Sequence, residues 1–347
     1  MTRARDLANV ADDVSTGTVV TTASPSLGRR NIILNGSMAV AQRGTSTSVG
    51  VGGYTFSCDR FSGRASIGSN HTLDQVTDAP NGFTNSAKFT VGTGATPSGT
   101  DYVRLLYKFE GYDVVQFEYG QSSAKTVTVS FWVKSSVTGT FGLALKHTTT
   151  RNIVGSYTVS QANTWEYVSV SLAGDTTTAI ANKTNGEALT LGFDLGEGPD
   201  RSRSTGSWGN TSNTQWGLDG GTKVVATSGA TWQITGVQLE VGTVATPFEH
   251  RSYGEELALC QRYYEKAEVN FRHFTTASGQ YLRPYLQFAT TKRAEPDVTG
   301  TLVTENGMTY SGANTQVSIE SVGLDFRSTG SSGSSFAYYN FTFDAEL

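Results

Sequence analysis

Between Asn31 and His250 the sequence is a succession of short runs in which apolar and polar residues alternate, bounded by Gly, Asn, Asp or Ser. A period of two matches the alternation of side chains across a pleated strand and conflicts with the 3.6-residue period of a helix. Thr126 to Lys134, TVTVSFWVK, is the clearest run: Val127, Val129, Phe131 and Val133 face one way, and Thr126, Thr128, Ser130 and Lys134 the other, with Trp132 among them. Similar strands are expected at Tyr102 to Phe109, Phe141 to Lys146, Trp165 to Leu172, Ala188 to Leu195 and Thr231 to Val241, separated by turn-rich pieces such as APNG at Ala79 to Gly82. Two antiparallel sheets packed face to face, an all-β sandwich, account for the pattern.

Composition agrees. Only 16% of the 347 residues are charged, against about 25% in ordinary soluble domains. Thr, Ser, Gly and Asn take their place, and these are mediocre to poor helix formers. With 26 Lys plus Arg against 30 Asp plus Glu, no basic excess exists to neutralise phosphates, so nucleic acid is excluded as an expected partner. Cys58 and Cys260 match no zinc or redox spacing and read as reduced core thiols. No apolar run of about 18 residues exists, and Met1 to Pro25 lacks an apolar signal core, so neither membrane insertion nor secretion is expected.

Four segments follow. Residues 1–30 hold scattered apolar positions, a Ser/Thr tract and no aromatic, which predicts an extended arm that orders on a partner. Residues 31–250 form the sandwich. A linking segment at 251–265 contains the one persuasive helix, Ser252 to Glu265, with two glutamates in its first turn. Residues 266–347 alternate again, as in YLRPYLQF at Tyr281 to Phe288 and SFAYYNFTF at Ser335 to Phe343. They predict a smaller β domain for receptor binding or trimerisation, near the size at which oligomerisation aids stability.

Three stretches carry a family resemblance. RNIILNGSMAVAQRGTS at Arg30 to Ser46, followed by GGYTFSCDRF at Gly52 to Phe61, resembles the opening of the jelly-roll module of bacteriophage tail fibres and other fibrous virion proteins. TWQITGVQLEVGTVATPFEHRSYGEELALCQRYYE, from Thr231 to Glu265, is similar to that module's last strand and linking helix, and is the most specific block. MTRARDLANVADD at Met1 to Asp13 resembles the virion-attachment leader, which gives Arg3, Arg5, Asp6, Leu7 and Val10 docking roles, and the final FDAEL also fits. The sandwich further resembles carbohydrate-binding modules of glycoside hydrolases, through Asn31 to Gly36 and Trp165 to Leu172. Together these imply a homotrimeric tail fibre in the virion, joined through its arm to other virion proteins and adhering to host surface polysaccharide. A capsid-attached head fibre or decoration protein is the first alternative and a polysaccharide depolymerase the second. Within the family pattern, Asn35-Gly36 suits a tight turn or bulge with Gly supplying positive φ, and Tyr263 and Tyr264 close the base of the sandwich beneath the helix.

The candidate sites favour adhesion over chemistry. His71, His147, His250 and His273 share no HxH, HExxH or HxxxH spacing, and no GxSxG elbow appears. No cofactor is expected, with one qualification in the acidic stretch DLGEGPDRSR. There Asp194, Glu197 and Asp200 suit either a calcium site, as jelly-roll modules have, or a turn whose acids Arg201 and Arg203 neutralise. The spacing matches no defined calcium loop and favours the turn. The glycan-binding candidates lie in GSWGNTSNTQWGLDGG: Trp208 and Trp216 to stack on sugar rings, and Asn210, Asn213, Gln215 and Asp219 to bond hydroxyls. The competing reading has one indole folding back to cap the sandwich. Trp132, Trp165 and Trp232 read as strand packing. In the last eighty residues Tyr281, Tyr285, Tyr310, Tyr338, Tyr339, Phe336 and Phe341 divide between a core and a surface.

Overall fold

The computed structural model describes residues 30–147, 151–210, 215–330 and 333–347. The arm with Arg3, Arg5, Asp6, Leu7 and Val10 lies outside them, as does Asn213. The strands begin with β1 (Ser46–Val49), β2 (Thr55–Phe56), β3 (Phe61–Ala65), β4 (His71–Val76), β5 (Ser86–Thr90), β6 (Val103–Glu110) and β7 (Val127–Ser135). They continue with β8 (Gly139–His147), β9 (Arg151–Val159), β10 (Glu166–Leu172), β11 (Glu187–Asp194), the short β12 (Ser202–Arg203), β13 (Gly209–Asn210) and β14 (Gly217–Leu218), and β15 (Thr231–Val241). One sheet has the spatial order β1-β4-β5-β15-β7-β10 and the other β13-β9-β8-β11-β6-β3-β2. Their ladders are antiparallel, and the pair is a jelly-roll β-sandwich.

The alternation in β7 sets the geometry. Val127, Val129, Phe131 and Val133 are fully buried between the sheets. Phe131 meets Tyr157 and Phe193 of the opposite sheet edge-on at 5.0 and 5.2 Å, and the Trp232 indole donates to the Tyr157 hydroxyl at 3.1 Å. Each such side chain contributes on the order of 2 kcal/mol by leaving water. Cys58 and Cys260 are buried, unpaired thiols.

The two motif blocks most distant in sequence meet in space. The Asn31 side chain donates to the Val237 carbonyl at 3.1 Å and accepts from the Leu239 amide at 3.1 Å, while the Asn31 amide donates to Glu249 at 2.6 Å. Asn35 and Gly36 exchange their expected roles. Asn35 itself takes the left-handed conformation, φ 57°, and its buried amide bridges the Val40 and Asp59 carbonyls. Gly36 is required for close approach, because a Cβ there would lie 2.1 Å from the Val237 oxygen.

Helix α1 (Tyr253–Gln261) is shorter than expected: Ser252 caps it, accepting from the Glu255 amide at 3.3 Å, and a strand begins three residues after its end. Glu256, in its first turn, reaches the Asn35 amide at 2.5 Å. Tyr263 and Tyr264 do lie buried at the base of the sandwich, with the Arg60 and Arg43 guanidiniums 3.5 and 3.7 Å above their rings.

The remaining strands are β16 (Tyr264–Thr275), β17 (Tyr281–Leu282), β18 (Tyr285–Gln287), β19 (Asp297–Asn306), β20 (Met308–Val317), β21 (Ser321–Ser328) and β22 (Gly333–Asp344). They form a three-stranded sheet, β16-β22-β19, and a second sheet in which β17, β18 and β20 pair with β21. Met308, Val322, Leu324, Phe326, Tyr339, Phe341 and Phe343 make a small separate core. The chain's last residues return to the sandwich: Arg43 pairs with Asp344 at 3.2 Å, Arg60 with Glu346, and Lys108 donates to the Leu347 oxygen at 2.7 Å.

Candidate functional site

The two tryptophans expected to stack on sugar rings are folded against the protein and separated from each other. Trp216 is 8% exposed and lies against Leu106, Ala144, Val154 and Leu218 on the outer face of the second sheet. Gly192 makes room beneath it, since a Cβ there would sit 2.7 Å from the ring. Trp208 is half-buried, with its indole N–H donating to the Ala173 carbonyl at 2.6 Å and its ring edge-on to Tyr119 and His147. Neither ring is an open platform, because small or apolar residues on the outward positions of β6, β8, β9 and β11 leave a trough that the loop fills. The Gln215 carbonyl accepts from Asn152. Asn210 pairs in β13 with Arg151. Asp219 is exposed and accepts from the Ser204 hydroxyl at 3.2 Å.

His147 lies under Trp208, 3.3 Å from the Asp175 carboxylate. Burial pushes its pKa down to about 4, with Asp175 pulling it up and Arg151 and Lys146 pushing it down. Arg151 bonds Asp175 at 2.5 and 3.0 Å, and that contact holds the Asp175 carboxyl below the usual range despite its burial. A folded-state pKa below the ordinary 6.5 means that His147 protonates more readily in the unfolded chain. Its contribution is complete above pH 6.5 and declines as pH falls toward 4, by on the order of 3 kcal/mol. Melting curves between pH 7 and pH 4 check this: His147→Gln flattens the acid decline, and an unchanged slope would refute the assignment.

The acidic stretch forms a tight turn, with partners other than those expected. Asp194 accepts from the Gly196 and Glu197 amides at 3.0 and 2.8 Å and from Lys223 at 2.6 Å. Glu197 forms a two-point pair with Arg104 at 2.6 and 2.9 Å. Arg201 and Arg203 instead bond the Thr100 carbonyl and Asn152, so the neutralising cations come from β6 and from beyond the loop. Burial pushes Glu197 up to about 8 against the pull of Arg104, and Asp194 upward against Lys223. Asp200 is exposed on a single helical turn. Among the described residues no group of three or more His, Cys, Asp or Glu is placed to hold a metal. A cavity of about 240 Å³ beside the turn is lined by Glu197, Ser202, Asp219 and Lys223, and its one buried carboxylate, Glu197, already faces Arg104.

An aromatic shelf lies elsewhere, on the outer face of the first sheet. Trp132 of β7 and Tyr167 of β10 are direct cross-strand partners, with ring centroids 5.5 Å apart and planes tilted by 56°. Tyr167 is 47% exposed. Trp165, just before β10, is held in place by its indole N–H, which donates to Asp78 at 3.3 Å, and by the Lys134 ammonium 5.5 Å from its ring. Asp78 also pairs with Lys134, and that hydrogen bond holds its carboxyl below the usual range. Exposed Ser169 and Ser171 extend the face with hydroxyls. Of the three strand tryptophans expected to pack, only Trp232 is in the core. The signal for Trp132 was its place on the same outward register as Ser130 and Lys134.

No family model matches this chain, and no curated protein matches it. Similar solved structures are carbohydrate-binding modules. The family 11 module of the Clostridium thermocellum cellulase Lic26A-Cel5E is 12% identical and overlaps 58% of this chain and 99% of its own, with a TM-score of 0.29. The N-terminal cellulose-binding domain of Cellulomonas fimi β-1,4-glucanase C is 13% identical over 59% and 100%, TM-score 0.29. The CBM22-1 xylan-binding domain of Paenibacillus barcinonensis Xyn10C is 9% identical over 63% and 99%, TM-score 0.27. The jelly-roll assignment rests on the strand order itself.

Proposed function

We propose that this chain is a non-catalytic glycan adhesin whose sandwich binds polysaccharide on the shelf of Trp132, Tyr167 and Trp165. The observation that carries the reading is the tilted Trp132–Tyr167 pair, beside the Lys134–Asp78 ion pair and the exposed hydroxyls of Ser169 and Ser171. Indole and phenol faces take the apolar faces of sugar rings, and the surrounding polar groups bond hydroxyls. Depolymerase chemistry is disfavoured because Asp194 and Glu197, the buried acids of the acidic loop, are each committed to a cation.

The test is titration of the full chain with soluble xylan and β-1,3-1,4-mixed-linked glucan, the sugars for which similar modules are named. Trp132→Ala with Tyr167→Ala lowers affinity by at least about tenfold, with little change in melting temperature. Unchanged affinity in a variant that still folds would sink the site.

The finer reading is a virion fibre, a homotrimer attached through residues 1–30 to the tail or, alternatively, to the capsid. Its support is the family resemblance of the blocks at Arg30 to Ser46 and Thr231 to Glu265. Deleting residues 1–30 then leaves a folded trimer by light scattering that no longer enters particles; normal incorporation would overturn the docking role. Imaging a label on assembled particles separates tail from capsid.

A further inference from the structure

We infer that the outer face of the sheet built on β21 is a second binding surface, whose ligand is an acidic polysaccharide carrying carboxylated sugars. It rests on the adhesin reading only in taking a glycan as ligand; the residues, the sheet and the ligand charge are different.

Residues 281–288 alternate without a break between outside and inside. Tyr281, Arg283, Tyr285 and Gln287 are exposed, and Leu282, Pro284, Leu286 and Phe288 turn inward. The inward apolar residues Leu282, Leu286 and Phe288 pack on the small core. Tyr281 and Tyr285 are therefore surplus to packing, at 53% and 56% exposed. They stand four residues apart along an extended path, roughly 13 Å, far enough to meet different rings of one sugar chain.

The charges on this face are cationic in excess. Tyr281 is cross-strand from Arg327. The Arg283 guanidinium lies 5.2 Å from the Tyr281 ring and pairs with Asp325 at 3.1 Å. Arg327 is exposed, and its guanidinium has no ion pair or hydrogen bond among the described residues. Two guanidiniums thus meet one carboxylate, on a chain whose net charge is -4. A free guanidinium beside the Tyr281 ring offers a planar fork to a carboxylate, while the Tyr281 and Tyr285 rings take the sugar faces. On the sandwich shelf, by contrast, the one cation is matched by Asp78.

The experiment is titration of the full chain with polygalacturonate, mixed-linked β-glucan and phosphatidylglycerol vesicles at two salt concentrations. Polygalacturonate binds and weakens with salt. Arg327→Gln weakens it by about tenfold, as does Tyr281→Ala with Tyr285→Ala, and neither change alters β-glucan affinity or the melting temperature. Trp132→Ala with Tyr167→Ala shows the reverse selectivity, so this surface and the sandwich shelf fail separately. Absence of polygalacturonate binding, indifference of that binding to Arg327→Gln, or binding to vesicles alone would each overturn the inference.

Discussion

Replacing Lys292 by methionine destabilises the protein by about 3 to 5 kcal/mol. The Lys292 side chain is fully buried, with its ammonium on the Gln261 carbonyl at 2.6 Å and on the Glu265 carboxylate. Its own amide bonds the Ile319 carbonyl at 2.6 Å, and Glu265 also accepts from the Ala289 amide at 3.2 Å. One side chain therefore ties the end of α1 to the first strand of the small domain and to the loop before β19. Burial lowers the Lys292 pKa against the opposing pull of Glu265. Methionine fills most of the volume but leaves Glu265 buried and uncompensated, and that stranded charge is the source of the cost. Calorimetry shows the melting temperature falling by roughly 10 °C. Lys292→Met with Glu265→Gln recovers more than half of the loss, because the stranded charge is gone. A single-variant loss below 1 kcal/mol, or no recovery in the double variant, would contradict the account.

The strands were legible because their information is local. TVTVSFWVK states its buried face by alternation, and Val127, Val129, Phe131 and Val133 are buried accordingly. The start of α1, with its two glutamates in the first turn, was legible for the same reason, as was the division of the small domain's aromatics between core and surface. What the sequence hid is long-range. Glu197 meets Arg104, 93 positions away, and Arg262 meets Glu110, 152 positions away; no spacing rule connects such pairs. The turn at Asn35-Gly36 was located correctly but assigned to the wrong physical cause, since the constraint on Gly36 comes from Val237 across the sandwich. The placement of the loop tryptophans was open for a related reason: the reading in which one indole folds back is the one Trp216 follows. A Gly-, Ser- and Asn-rich loop with two tryptophans reads as exposed until the small outward residues of the second sheet are known to form a trough beneath it. Trp132 reads as packing until its outward register is taken at face value.

The burial of Trp216 gives a decisive second expectation. An exposed stacking residue contributes to binding and little to stability; a covering residue does the opposite. Trp216 is 8% exposed, seated over Gly192 and flanked by the Arg104 and Lys146 cations at 5.2 and 5.5 Å. Removing its side chain uncovers Leu106, Ala144 and Val154 and opens a cavity, which costs about 3 to 5 kcal/mol for a buried tryptophan. It also exposes the Arg104–Glu197 pair that the loop shelters, so part of the loss grows with salt. Gly192→Ala reaches the same packing from below: its Cβ would stand 2.7 Å from the indole, and the ring must lift, at about 1 to 3 kcal/mol. Urea denaturation measures both. β-Glucan affinity of the surviving folded protein stays within about twofold for Trp216→Ala, because the shelf of Trp132 and Tyr167 is on the other sheet. The opposite outcome, a stable protein that has lost its sugar, would return the binding site to the loop and require Trp216 to swing out on binding.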